Sequence, residues 1–170
     1  RETIAYFNFL QGKERAGIER AVLSNTFAKQ QFGKGMFTKF ITLVSEQNTY
    51  FDNFKNFSNV ANNNYFDQQL NNNAVKEVTK IRAIANSKQS DFGIEAEYWF
   101  AQSTGRIGQL KKIENHLGNE ILALIETKHS DAFNTMVFDI IVSALLIILA
   151  LVISFNIIND LTGRVKNLTN

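Results

Sequence analysis

The chain has no proline and no cysteine among its 170 residues. Without proline nothing compels a break in a helix, so long uninterrupted helices are favoured. Without cysteine, disulfide frameworks and thiolate metal sites are excluded, a state that suits the periplasm and the cytoplasm alike. Histidine is confined to His116 and His129. They have no matching acid motif, so a metal site is not expected. A one-sided charge is missing as well: the net charge is +2, with acids and bases interspersed, and no basic stripe marks a nucleic-acid partner. No serine, histidine and acid show a spacing that implies a nucleophilic triad, and no glycine-rich phosphate loop follows a strand. These absences leave no support for an enzyme, and no cofactor is expected. The chain opens on Arg1, with neither Met nor a signal peptide. It reads as a fragment whose natural sequence extends on both sides.

What is present is helical periodicity. Apolar residues return at three- and four-residue steps from Arg1 to Gln31. On a helical wheel Leu23, Ala16, Phe9, Phe27, Tyr6, Gly17, Leu10, Ala28 and Ala21 form one arc that includes Arg20, whereas Glu19, Gln11, Thr26, Lys29 and Arg15 fall elsewhere. Gly33-Lys34-Gly35 marks a turn. A second helix from about Met36 to Phe57 carries the coiled-coil-like seam Phe37, Phe40, Val44, Gln47, Phe51 and Phe54, flanked by Met36, Leu43, Tyr50 and Phe57. Asparagine runs at 62–64 and 71–73 predict caps around a short helix bearing Tyr65, Phe66 and Leu70. A helix from Ala74 to about Ser87 presents Val75, Val78, Ile81 and Ala85, with Arg82 at its edge. The last helix starts near Ile94 and runs as far as Leu161. Trp99, Ser103, Arg106, Leu110, Ile113, Leu117, Ile121 and Leu124 form its near-heptad seam. Gly105, Gly108 and Gly118 leave room there for another backbone.

From Ile140 to Ile158 the chain is apolar except for Ser143, Ser154 and Asn156, and it carries no charge. About 19 residues at ~1.5 Å each span roughly 28 Å, enough for a bilayer core. Arg164 and Lys166 follow closely. The positive-inside rule therefore places Asn170 in the cytoplasm and the residues before Asp139 outside it.

Arg20, Arg82 and Arg106 share a pattern: an apolar face and no acid three or four residues away. Arg15, in contrast, has Glu19 four residues on. A buried, unpaired guanidinium is costly. Either each arginine pairs with a carboxylate of another helix, such as Glu14, Glu46 or Glu114, or the arginines converge on an external anion. Forked donors suit a planar oxyanion, and Ser24, Gln47, Ser103 and Thr104 are candidate neutral donors beside them.

Ala5-Tyr6-Phe7-Asn8-Phe9-Leu10 leads into Lys13-Glu14-Arg15-Ala16-Gly17-Ile18-Glu19-Arg20-Ala21-Val22-Leu23, and Glu97-Tyr98-Trp99-Phe100 precedes Thr104, Ile107, Leu110 and Glu114. These words, over about Ile4 to Leu117, resemble the second half of the bacterial nitrate- and nitrite-sensing (NIT) domain. The transmembrane helix and the tail after it resemble the junction with the HAMP-type signalling coil of a chemoreceptor. The resemblance implies an extracytoplasmic helical sensor that binds nitrate or nitrite through arginines. The family's Glu-Arg-Ala word carries over to Glu19-Arg20-Ala21, which makes Arg20 the binding arginine; Arg15, in Glu14-Arg15-Ala16, competes with it. Arg106 falls in the region of the later motif. The family's earlier half, with its own arginine-bearing Gln-x-Glu-Arg-Gly-like helix, has no counterpart here.

The resulting expectation is an all-α, up-and-down antiparallel bundle whose long last helix continues into the membrane. Residues 1–135 form a periplasmic sensor, 136–159 the inner-membrane span and 160–170 the start of a cytoplasmic segment. The ligand is a small oxyanion held by Arg20, Arg106, Arg15 and Arg82. The partners are a second copy of the chain and cytoplasmic signalling proteins, with no nucleic acid. The competing expectations are a structural membrane-anchored bundle with internally paired arginines, and a sensor of another small anion.

Overall fold

The computed structural model describes the backbone of residues 1–168, and the side chains of all of these except 160 and 164–168. It is all-α, with helices α1 (Glu2–Ala28), α2 (Met36–Phe57), α3 (Val60–Leu70), α4 (Asn73–Ser87) and α5 (Ala96–Leu168) and no strand among the described residues. The 71–73 run caps as expected, with the Asn72 side chain accepting from the Ala74 amide, but the 62–64 run lies inside α3, whose cap is Asn59, its side chain accepting from the Asn62 amide. Residues 1–122 form one compact unit and residues 123–170 a second.

Within residues 1–122 the helices run up and down. Glu19 meets Gln47 while Phe9 packs on Phe54, so α1 and α2 are antiparallel. Lys13 meets Glu114 and Arg20 meets Thr104, so α1 and α5 are antiparallel too. The turns after α1 and α4 are tied together at the end of the bundle. Gln31 bridges Ser90, the Asp91 amide donates to the Gln30 carbonyl, and the Gln30 side chain donates to the Ile94 carbonyl.

The α5 seam packs as its spacing predicts from Trp99 through Ser103, Arg106, Leu110 and Ile113 to Leu117. Beyond it Ile121 is half-buried and Leu124 exposed. In α2 the buried line is Phe40, Leu43, Gln47, Phe51 and Phe54, so Leu43 replaces Val44 in the seam. The buried face of α1 differs more from expectation. Ala5, Phe9, Gly12, Ala16, Glu19, Leu23 and Thr26 are buried in alternating four- and three-residue steps, the a/d pattern of a packed seam. Ala21 and Ala28, expected inside, are exposed. The true stripe passes through a glycine, a glutamate and a threonine, and a wheel drawn from apolar residues alone is rotated away from it.

Two glycines mark close approaches. A Cβ on Gly12 would lie 2.6 Å from the Phe51 ring, and one on Gly105 would lie 2.9 Å from the Ala74 methyl. Gly108 has open space instead, and Gly118 only an ordinary contact with Tyr6. Close packing is therefore the role of Gly105 alone among the α5 glycines named above.

The apolar interior falls into two clusters. One gathers Leu23, Phe27, Phe40, Val78, Ile81 and Trp99, the other Phe9, Phe51, Phe54, Phe66, Leu110 and Ile113. Glu19, Gln47 and Arg106 occupy seam positions between these clusters on their helices. A polar layer thus divides the core.

The second unit carries the apolar segment of α5. It contains an 18-residue window of mean hydropathy 3.0, none of it buried within the chain, which is long and apolar enough to cross a bilayer. The Arg164 and Lys166 side chains, on which the orientation rests, lie outside the described residues.

Candidate functional site

The polar layer is built from four helices, each supplying one side chain. Glu19 of α1 is 1% exposed and Arg106 of α5 is 7% exposed. Arg82 of α4 grips Glu19 in a fork, with Nε to Oε1 at 2.6 Å and Nη2 to Oε2 at 2.6 Å. Gln47 of α2 donates from Nε2 to Glu19 Oε2 at 2.9 Å. Its Oε1 accepts from Arg82 Nη2 at 2.8 Å and from Arg106 Nη1 at 2.9 Å. Arg106 Nη1 stands 3.6 Å from Glu19 Oε2. The amide serves as an adaptor, since it donates to the carboxylate and accepts from both cations.

The charges in this layer do not cancel. Two guanidiniums face one carboxylate, which leaves an excess of one positive charge at a site that is almost dry. Burial pushes the Arg106 guanidinium down to about 10; the Arg82 charge adds to the fall and Glu19 opposes it. A lone carboxylate therefore organises the layer, and removing it would strand two cations.

Arg20, the next residue along α1, sits in a different setting. Its backbone carbonyl accepts from Trp99 Nε1 at 3.0 Å, which fixes α1 against α5. The residue is half-buried, and its guanidinium donates to Thr104 Oγ1 at 3.1 Å in an exposed contact and lies 4.9 Å from the centre of the Phe100 ring. It lines a cavity of ≈ 340 Å³ with Leu10, Lys13, Glu14, Gly17 and Ile107. Among the described residues no carboxylate is in ion-pair contact with it.

Of the four arginines singled out in the sequence, the structure brings Arg82 and Arg106 together and places Arg20 and Arg15 elsewhere. Arg15 bonds Glu46 at 3.2 Å and also reaches Gln11 and the Tyr50 ring. The intrahelical pair with Glu19 expected from the spacing does not form, because Glu19 turns inward to Arg82. Of the candidate acids, Glu46 takes Arg15, Glu114 takes Lys13, and Glu14 faces the Arg20 cavity. Among the neutral donors, Gln47 joins the layer and Thr104 accepts from Arg20, while buried Ser24 Oγ has no hydrogen-bond partner among the described residues. Sequence reasoning missed Glu19. The signal was its place in the four-three spacing between Ala16 and Leu23.

The family described as nitrate and nitrite sensing matches residues 1–122. The nitrate regulatory protein of Klebsiella oxytoca is 31% identical over 135 residues, covering 76% of this chain and 34% of that protein. The chain therefore spans about a third of the length of the relative it matches. No solved structure matches. A match over residues 1–122 of a helical unit agrees with the resemblance read from the opening motif. The chain belongs to the nitrate and nitrite sensing (NIT) family.

Proposed function

We propose that this chain is the ligand-receiving region of a bacterial transmembrane receptor of chemotaxis type, and that Arg20 binds the nitrate or nitrite. One observation carries the choice of arginine. Arg15, Arg82 and Arg106 each face a carboxylate, whereas Arg20 spends one N–H on Thr104 and opens onto a cavity. A planar anion with two or three oxygens suits the N–H groups that remain on a forked, permanently charged donor. The Phe100 ring, 4.9 Å from the guanidinium, helps hold it beside the cavity.

Arg20 touches α5 at Thr104, and its neighbour Glu19 holds α4 and α5 through Arg82 and Arg106. An anion bridging α1 and α5 shifts the equilibrium between two packings of these helices by its differential affinity for them. Because α5 continues from the seam into the apolar segment, it is the element that would carry the change across the inner membrane. In this reading residues 1–135 are periplasmic, the C-terminus is cytoplasmic and the receptor is a homodimer.

The test is calorimetry on the full chain in nanodiscs, with nitrate, nitrite, chloride and acetate compared. Saturable binding of nitrate or nitrite, with chloride and acetate weaker, is the expected result. Binding of acetate alone would remove the nitrogen-oxyanion reading. The second reading, a structural anchor with internally paired arginines, is favoured by the Arg82–Glu19 fork. It predicts binding of none of the four anions.

A further inference from the structure

Arg82 is only partly spent. Its Nε and Nη2 bond Glu19 and Gln47, while Nη1 bonds no protein atom among the described residues. The same side chain lines a cleft of ≈ 430 Å³ between α2 and α4. Around it stand the Ser45 hydroxyl and the amides of Asn48 and Asn86, with Phe40 and Val44 supplying an apolar wall and no carboxylate in the lining. This combination of a mostly apolar cleft with a few convergent polar groups is that of a small-molecule site. Behind the guanidinium, Arg106 adds a second positive charge that Glu19 cannot balance along with the first.

We propose that this cleft is a second ligand site, for a monocarboxylate with a compact apolar body held by Arg82 Nη1. Phe40 and Val44 give an apolar body a wall to pack against, which a bare oxyanion would leave unused. The positive excess behind Arg82 selects an anion over a neutral molecule of the same shape. Ser45, Asn48 and Asn86 can hydrogen-bond the carboxylate oxygens that Nη1 leaves free. The site stands apart from the Arg20 cavity, because none of its lining residues belongs to α1 or α5.

Benzoate is the probe, titrated by calorimetry into the full chain in nanodiscs with empty nanodiscs subtracted. Benzamide has the same shape without the charge, and acetate has the charge without the body. Replacing Arg82 would strand Glu19 and Gln47 in the core, so the variants are Ala83→Phe, which fills the cleft from an exposed position of α4, and Asn48→Leu. The wild type is expected to bind benzoate saturably, with benzamide and acetate at least about tenfold weaker. Each variant is expected to weaken benzoate by about tenfold or more while the nitrate titration stays unchanged. The proposal is overturned if benzoate does not saturate, if benzamide binds as well, or if Ala83→Phe and Asn48→Leu bind like wild type. Nitrate titration on the same samples reads the Arg20 site separately, so failure of one site is distinguishable from failure of the other.

Discussion

Arg20 and the Arg82–Arg106 pair lie on neighbouring parts of one bundle, and in the sequence they look alike: a cation on an apolar face with no acid within a turn. After packing they differ in what meets them. Arg82 and Arg106 share a buried carboxylate and a buried amide, whereas Arg20 meets a hydroxyl, an aromatic ring and open space with no carboxylate bonded to it among the described residues. Isolation along the helix therefore does not separate a structural cation from a ligand-facing one. The partner across the bundle decides: Arg82 lies one residue past the buried Ile81, as Arg20 lies one past the buried Glu19, yet only Arg82 meets a carboxylate from another helix.

The largest expected effect strikes the layer. Glu19→Gln keeps the shape and removes the one negative charge, so it should destabilise the fold by about 3–5 kcal/mol. Chemical denaturation followed by fluorescence of Trp99, the single and fully buried tryptophan, reads this directly. Arg106→Met removes the excess cation instead and leaves Glu19 with Arg82. It should be neutral or stabilising by about 1–4 kcal/mol, because a buried charge is exchanged for a packed apolar chain. Destabilisation by Arg106→Met as large as that of Glu19→Gln would show that the layer is balanced by more than one carboxylate.

A smaller effect contrasts two glycines of α1. Gly12→Ala drives a methyl into the Phe51 ring and should cost about 1–3 kcal/mol despite better helix propensity. Gly17, beside Arg20, has open space at its Cβ position, so Gly17→Ala should stabilise by up to about 1 kcal/mol. Denaturation midpoints of the two variants should thus move in opposite directions.

A weaker effect concerns Glu114 at the mouth of the α1–α5 contact. Burial raises its carboxyl, but the hydrogen bonds from Lys13 and Lys111 outweigh this and hold it below its ordinary 4.5. A carboxyl lowered in the folded state stabilises above its unfolded value and loses that contribution as pH falls through the folded one. The stability difference between wild type and Lys13→Met should therefore be present at neutral pH and shrink below about pH 4.5. A difference that stays constant into acid would mean that Lys13 acts by packing alone.

Much of the fold was legible because seams are written in spacing. The Phe-rich line of α2 and the Trp99-to-Leu117 line of α5 repeat cleanly enough to be read without coordinates, and the asparagine run at 71–73 announced the caps between α3 and α4. The α1 stripe was misread because hydrophobicity and burial part company there: Gly12, Glu19 and Thr26 are buried for reasons found on other helices. Glu19 is inside because Arg82 and Gln47, 63 and 28 residues away along the chain, are waiting for it. Pairings of that length are invisible to a helical wheel. Arg20 was picked out by its family word and by its lack of a local acid. That no distant acid pairs with it among the described residues needed the three-dimensional structure.

The central claim is that Arg20, and not the Arg82–Arg106 pair, receives the nitrate. Nitrate calorimetry on Arg20→Gln and Arg106→Met, side by side with wild type in nanodiscs, tests it most directly. Arg20→Gln should lose nitrate binding while shifting stability by less than about 1 kcal/mol, and Arg106→Met should keep it. Retained binding in Arg20→Gln, with loss in a folded Arg106→Met, would contradict the account and move the ligand into the polar layer.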